Sequence, residues 1–215
     1  MTRPILYNFR RCPYAMRARL AIASSGIEVE LREILLRDKA PEFLEASPSA
    51  TVPCLVTQSS AIDESRDIMI WALSKNDPEG WLDMPEQGHD IIDMIEGPFK
   101  TALDRYKYSS RYQDADKANE RTTASSFLQD LNTRLSSNSY LFGSNATLAD
   151  MATLPFVRQF ANTDRQWFDA QDWPHLAAWL QAFLDSTRFK SIMQKYRVWQ
   201  LNDPITLFPE ARSDT

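Results

Sequence analysis

Cysteine is scarce in this chain of 215 residues, which contains only Cys12 and Cys54. Two cysteines cannot build a disulfide framework, so the sequence predicts a protein of a reducing compartment. Basic residues are too few for general nucleic-acid binding, since 24 Lys and Arg stand against 29 Asp and Glu. No apolar run approaches membrane-spanning length, and the first residues leave no room for a signal peptide before a predicted strand. We therefore expect a cytoplasmic protein.

Histidine is also rare, and His89 and His175 have no partners at the spacing of a metal site or a catalytic triad. We therefore expect no metal. At 43% hydrophobic and 25% charged residues the composition is that of a globular protein. The length allows one large domain or two modest ones.

Residues 5–20 are the most informative stretch. A short apolar run, Ile5-Leu-Tyr, predicts a buried strand, and Pro13 favours the first position of a helix that follows a tight loop. Cys12 would then lie at the helix N-terminus, where free N–H groups and the helix dipole favour an anion. Such positions lower a cysteine pKa from about 8.5 to between roughly 3.5 and 7.5. The pattern predicts a nucleophile, and the alternative is a small buried apolar side chain.

Two neighbouring features refine this prediction. Four arginines lie close in sequence and can favour the thiolate further: Arg10, Arg11, Arg17 and Arg19. Ala15 occupies the place of the second cysteine in a Cys-x-x-Cys motif. A thiol that resolves a disulfide on Cys12 would therefore come from outside, as a small molecule.

The first part of the chain predicts a small α/β domain. The helix after Cys12 buries one face and ends at Gly26, and residues 27–34 alternate apolar and charged side chains as a half-exposed strand does. These elements form a βαβ unit with parallel strands. Residues 52–56 and 61–63 predict two further short strands, and a helix follows that begins at Glu64-Ser65.

Helical patterns dominate after a turn-rich linker at residues 76–86. A first long helix is expected to kink at Gly97-Pro98, and a second spans roughly residues 114–135. Thr147-x-x-Asp150 resembles a capping box at the start of a mostly apolar helix. The end of the chain is expected to be an irregular tail.

Four motifs in this order resemble the glutathione transferase superfamily, particularly a bacterial-style member of its cysteine-type, omega-like classes. The motifs are Cys12-Pro-Tyr-Ala-Met-Arg, Ala50-Thr-Val-Pro-Cys-Leu, Asp63-Glu-Ser and Thr147-x-x-Asp. The resemblance covers nearly the whole chain. It implies an α/β thioredoxin-like domain (βαβ-ββα) at residues 1–75, the linker at 76–86, and an all-α domain at 87–215. A homodimer is also implied.

The resemblance further implies a glutathione site. Pro53 would be cis, Val52 would offer its backbone to the cysteinyl part of the tripeptide, and Lys39 would reach glutathione. Glu64 and Ser65 would hold the γ-glutamyl ammonium and carboxylate, for which their charge and helix-terminal position are suited. The alternatives are a plain helix cap for Glu64 and Ser65, a solvated Lys39 and a strand-start proline.

Three tyrosines are candidates for an acceptor site by the same resemblance: Tyr14, Tyr106 and Tyr108. For the last two the alternative is an amphipathic helix with a solvated basic face. Cys54 is expected to pack inside a central strand, although a role as a resolving thiol is the alternative.

The hypotheses about function depend on Cys12, which by this resemblance stands where other classes of the family have serine or tyrosine. The first hypothesis is a thiol transferase or dehydroascorbate-type reductase, with glutathione as cosubstrate and a small-molecule acceptor or mixed disulfide as partner. The second is conventional conjugation of glutathione to electrophiles. The third is a non-catalytic binding module.

Overall fold

Contacts divide the chain into two units in the computed structural model, which describes residues 3–210. One unit comprises residues 3–80 together with 186–210, and the other comprises residues 81–185. The first contains a mixed sheet and the second is helical, so the predicted class of a thioredoxin-like α/β domain plus a helical domain is confirmed. The division differs from the predicted boundaries because the end of the chain groups with the first unit.

A five-stranded sheet forms the centre of the first unit, in the order β4-β3-β1-β2-β5. Its strands are β1 Ile5–Asn8, β2 Val29–Glu33, β3 Cys54–Val56, β4 Ala61–Ile62 and β5 Leu207–Phe208. Strands β1 and β2 are parallel, as a βαβ unit requires, and the other neighbours are antiparallel. Leu6 of β1 lies between Leu31 and Leu55 of its two neighbours, and all three side chains are buried.

Ten α-helices are described. They are α1 Pro13–Ser25, α2 Pro41–Ala46, α3 Ser65–Leu73, α4 Gln87–Met94, α5 Lys100–Lys107, α6 Lys117–Arg134, α7 Leu148–Ala161, α8 Arg165–Asp169, α9 Pro174–Asp185 and α10 Thr187–Ile192. Gly26 closes α1 in the left-handed conformation, with φ of +70° and its N–H donated to Ile22. The prediction that α1 buries one face was incomplete. Helices α3 and α10 both pack on α1, and even Arg17 and Arg19 are buried.

The C-terminal segment, residues 186–210, corrects a second prediction. The expected irregular tail contains β5, which pairs with β2 through Phe208 opposite Val29. Farther along β2, the N–H of Trp199 donates to the carbonyl of Glu33. Glu33 is only 7% exposed, and it lies on the same face of β2 as the buried Val29 and Leu31.

The second unit follows its predicted pattern closely. The expected kink is a π-helical segment, Ile95–Phe99, which contains Pro98 and joins α4 to α5. Thr147 and Asp150 form the capping box of α7, and the Asp150 carboxylate also accepts the Leu141 N–H at 2.9 Å. No helix among residues 3–210 has both the length and the apolar character to span a membrane.

Candidate functional site

Cys12 caps the N-terminus of α1, as predicted. Its backbone is extended, with φ of −70° and ψ of 125°, and Pro13 takes the first helical position. The Cys12 N–H donates to Phe9 at 3.0 Å, which closes the loop between β1 and α1. The side chain is half-buried, and its Sγ lies 3.6 Å from the carbonyl oxygen of Val52. The thiol therefore lies at a helix N-terminus and retains access to solvent, and this position favours the thiolate. Donation of the S–H to the Val52 carbonyl favours the neutral thiol instead.

The Val52–Pro53 peptide bond is cis, so this prediction is confirmed. Both residues are buried beside the thiol. The loop before them is held by Asp63, whose carboxylate accepts the Ser47 hydroxyl at 2.9 Å and the Ser49 N–H at 2.8 Å. Burial would raise the pKa of Asp63, but hydrogen bonding to Cys54, Ser49 and Ser47 lowers it.

Lys39 lies against the same loop. Its ammonium donates to the carbonyl oxygen of Ala50 at 3.0 Å, two residues before Val52. Ala50 has a positive φ of 53°, an uncommon conformation for a residue with a side chain. The structure thus brings Lys39 close to the Val52 backbone, and its predicted contact with glutathione stays a prediction.

Glu64 and Ser65 begin α3. Glu64 is the exposed N-cap residue, and Ser65 is 2% exposed in the first turn. The Ser65 hydroxyl accepts a hydrogen bond at 2.9 Å from the buried Arg17 of α1. Because that oxygen already accepts, its proton can be donated to a carboxylate, and the helix N-terminus adds N–H groups for the same anion. Ser65 is thus placed to bind a carboxylate and Glu64 to bind an ammonium, and their contact with glutathione stays a prediction.

Cys54 is fully buried in β3, which agrees with the expectation that it packs inside a central strand. Burial and then the nearby Asp63 carboxylate raise the pKa of Cys54 to about 12. A thiol with that pKa is almost entirely protonated at neutral pH and attacks disulfides slowly. Both cysteines are thiols rather than a disulfide.

The three candidate acceptor tyrosines have different surroundings. Tyr14 is half-buried in the first turn of α1, with the Arg17 guanidinium 5.4 Å from its ring centre. Tyr108 is half-buried at the C-terminal end of α5, with Arg111 over its ring at 4.4 Å. Tyr106 is 1% exposed and packs on Phe160, so its burial argues against contact with an acceptor.

Sequence reasoning missed the role of Glu33. One of its carboxylate oxygens accepts the Arg10 N–H at 2.7 Å, and the other accepts the amide of Asn8. Burial raises the pKa of Glu33. The only indication in the sequence was that Glu33 is a charged residue on the same face of β2 as the apolar Val29 and Leu31.

Two family models match this chain and together cover more than half of it. The model described as "Glutathione S-transferase, N-terminal domain" matches residues 6–80, and that described as "Glutathione S-transferase, C-terminal domain" matches residues 114–182. The chain belongs to the glutathione S-transferase superfamily. The omega-like subtype that the cysteine suggested is a finer assignment, which these family models do not make.

Curated relatives carry two kinds of name. A "Probable glutathione S-transferase parA" of Nicotiana tabacum is 27% identical over 206 residues, with 91% of both chains covered. "Elongation factor 1-gamma 1" of Oryza sativa subsp. japonica is 28% identical over 207 residues, which are 88% of this chain and 48% of that protein. Superfamily membership therefore includes proteins named for a different process.

A glutathione transferase family member from Pseudomonas fluorescens shares the fold with a TM-score of 0.77 at 17% identity, covering 89% of this chain and 92% of the other. That crystal structure is described as having two glutathione molecules bound. Among residues 3–210 of this chain, no group of three or more His, Cys, Asp or Glu side chains is arranged to hold a metal ion.

Proposed function

We propose that this chain is a glutathione-dependent thiol transferase, of the thiol-reductase or dehydroascorbate-reductase type, with Cys12 as the attacking group. The observation that carries the proposal is the position of Cys12: at the N-terminus of α1, half-buried, with its Sγ 3.6 Å from the Val52 carbonyl. Serine or tyrosine at this point can only donate a hydrogen bond to glutathione. A thiolate there can itself attack a disulfide.

The proposed reaction has two exchange steps. The Cys12 thiolate attacks the glutathione sulfur of a mixed disulfide, a Cys12–glutathione disulfide forms, and the acceptor thiol leaves and takes up a proton. A second glutathione thiolate then attacks the glutathione sulfur of that adduct, which releases Cys12 as a thiolate and yields oxidised glutathione. The two steps together convert the mixed disulfide and one glutathione into the free acceptor thiol and oxidised glutathione.

The residues near Cys12 fit the tripeptide. Glutathione has two carboxylates and one ammonium, so its site needs groups of both signs. Ser65 and the N-terminus of α3 suit a carboxylate, and the exposed Glu64 suits the ammonium. Val52 and Lys39 lie on and beside the loop that precedes the cis proline. In this proposal they contact the cysteinyl part and the remaining carboxylate of glutathione.

Cys12→Ser tests the proposal. Loss of a catalytic nucleophile should lower the rate of mixed-disulfide reduction at least about a thousandfold, measured with a small glutathionylated thiol as substrate. The matched control is Cys54→Ala, which should keep the rate close to that of the wild type because Cys54 is fully buried. Equal loss in both variants, or unchanged reduction by Cys12→Ser, would contradict the proposal.

The same variant separates the other two hypotheses. If the protein conjugates glutathione to electrophiles, Cys12→Ser retains or gains that activity, since serine can donate a hydrogen bond to the glutathione thiolate. If it is a binding module, as the elongation-factor relatives make worth testing, neither activity occurs and glutathione leaves the melting temperature unchanged. A homodimer and a cytoplasmic location stay predictions.

A further inference from the structure

A buried pair of opposite charges lies behind the loop that carries Cys12. Arg19 of α1 is 0% exposed and Glu33 of β2 is 7% exposed. Burying a charge is costly unless it is paired and hydrogen-bonded, so a fully buried arginine indicates a specific structural demand. Burial lowers the pKa of Arg19, and the charge of Glu33 acts in the opposite direction.

The two side chains hold the backbone of one residue from both sides. Glu33 accepts the N–H of Arg10 at 2.7 Å, and the Arg19 guanidinium donates to the carbonyl of Arg10 at 2.6 Å. Arg10 lies two residues before Cys12, within the loop that the Cys12 N–H closes on Phe9. The position of the loop that carries the thiol therefore depends on these two side chains.

The C-terminal segment completes the arrangement. Arg19 also donates to the carbonyl of Ile192, at the end of α10, and the Arg10 guanidinium donates to Met193 at 3.4 Å. Trp199 donates its N–H to the backbone of Glu33. The last part of the chain thus covers both side chains, which are buried.

We infer that Arg19 and Glu33 are positioning residues for Cys12, and that the Arg19 cation, enclosed by the C-terminal segment, favours the thiolate. This inference rests on the proposed function only in taking Cys12 as the attacking thiol. Besides burial, four groups influence the pKa of Arg19: Glu33 on β2, Tyr196 in the C-terminal segment, and Cys12 and Arg10 on the loop. Burial lowers the pKa of Arg19 to about 10, so it stays charged at neutral pH.

The test measures iodoacetamide alkylation of Cys12 against pH in two variants, with peptide mass spectrometry to identify the modified site. Arg19→Gln removes the cation and should raise the Cys12 pKa by about one unit, which slows alkylation at pH 7 up to about tenfold. Glu33→Gln keeps a side-chain oxygen to accept the Arg10 N–H but removes the opposing charge, and should shift the pKa downward. A merely structural pair would shift both variants in the same direction.

Arg188→Gln is the matched control, because it removes an arginine of the same C-terminal segment, which pairs with Glu79. It should leave the Cys12 pKa unchanged. The inference is overturned if Arg19→Gln keeps the wild-type profile or if both charge variants shift alike. If Arg19→Gln does not fold by circular dichroism, Glu33→Gln decides: a downward shift supports the inference, and no shift or an upward one overturns it.

The proposed function is tested separately. If opposite shifts occur but the wild type reduces no mixed disulfide, the thiol-transferase proposal fails and the positioning of Cys12 stands. If the wild type is active and the shifts are absent, Arg19 and Glu33 do not determine the pKa of Cys12.

Discussion

Cys12 and Cys54 both lie next to the Val52–Pro53 peptide. Cys54 follows Pro53 in the chain, and the Sγ of Cys12 lies near the carbonyl oxygen of Val52. Their environments are opposite. Cys12 is half-exposed at a helix N-terminus, whereas Cys54 is fully buried in a strand, with its pKa raised to about 12. We therefore expect backbone position and burial, rather than residue type, to determine which thiol reacts.

Each cysteine also has a carboxylate nearby, and these two groups differ in the same way. Glu33 supports the Cys12 loop from a buried position, and burial raises its pKa. Asp63 supports the loop near Cys54 and accepts hydrogen bonds from Ser47 and Ser49, and its pKa is lowered. The two carboxylates should therefore give opposite pH dependence to stability.

The largest expected effect is the difference in reactivity between the two cysteines. With a pKa of about 12, only about one Cys54 in 10⁵ is ionised at pH 7. Treatment of the folded protein with oxidised glutathione should therefore place one adduct, on Cys12, with Cys54 modified at least about a thousandfold more slowly. Peptide mass spectrometry measures this, and unfolding in urea should abolish the selectivity. An adduct confined to Cys54 would contradict the assignment.

A smaller effect is expected for Asp63→Asn. One oxygen that accepts a hydrogen bond is replaced by an NH₂ group, which should cost about 1–2 kcal/mol of unfolding free energy at pH 7. Because folding lowers the pKa of Asp63, its contribution is present above the unfolded pKa of about 3.9 and is lost as the pH falls through the folded value. The gap between variant and wild type should therefore shrink on acidification.

Urea unfolding between pH 6 and pH 3 checks this expectation. Asp67→Asn is the control, since it removes the same charge from the exposed side of α3 and should change stability by less than about 0.5 kcal/mol. A constant gap across this pH range would show that the charge of Asp63 does not matter.

The smallest effect is a change of pH slope in Glu33→Gln. Folding raises the pKa of Glu33, so the folded wild type binds the proton more tightly than the unfolded chain does. Stability from this group therefore falls as pH rises from about 4.3, the unfolded value, through the higher folded value. The variant lacks this loss, and its stability relative to the wild type should increase toward neutral pH in urea titrations. A difference that is flat with pH would contradict it.

The local parts of the fold were predictable from the sequence. Pro13 and Gly26 mark the ends of α1, Thr147 and Asp150 cap α7, and Pro98 marks the break between α4 and α5. Each of these helix ends and breaks is determined by residues within one or two helical turns. A local sequence pattern is therefore enough to predict it.

The parts that were not predictable depend on distant contacts. Strand β5 is two residues long and pairs with a strand far earlier in the chain, so no periodicity marks it. Arg19 was expected only to lie near Cys12, whereas it is buried and donates to the Ile192 carbonyl in the C-terminal segment. The buried position of Tyr106 has the same kind of cause, since packing on Phe160 decides it.

The ionisation of Cys12 is the central claim, and the rate of its alkylation by iodoacetamide between pH 4 and pH 10 measures it most directly. The account predicts a midpoint well below the value of about 8.5 for an ordinary thiol. A midpoint at or above that value would contradict it.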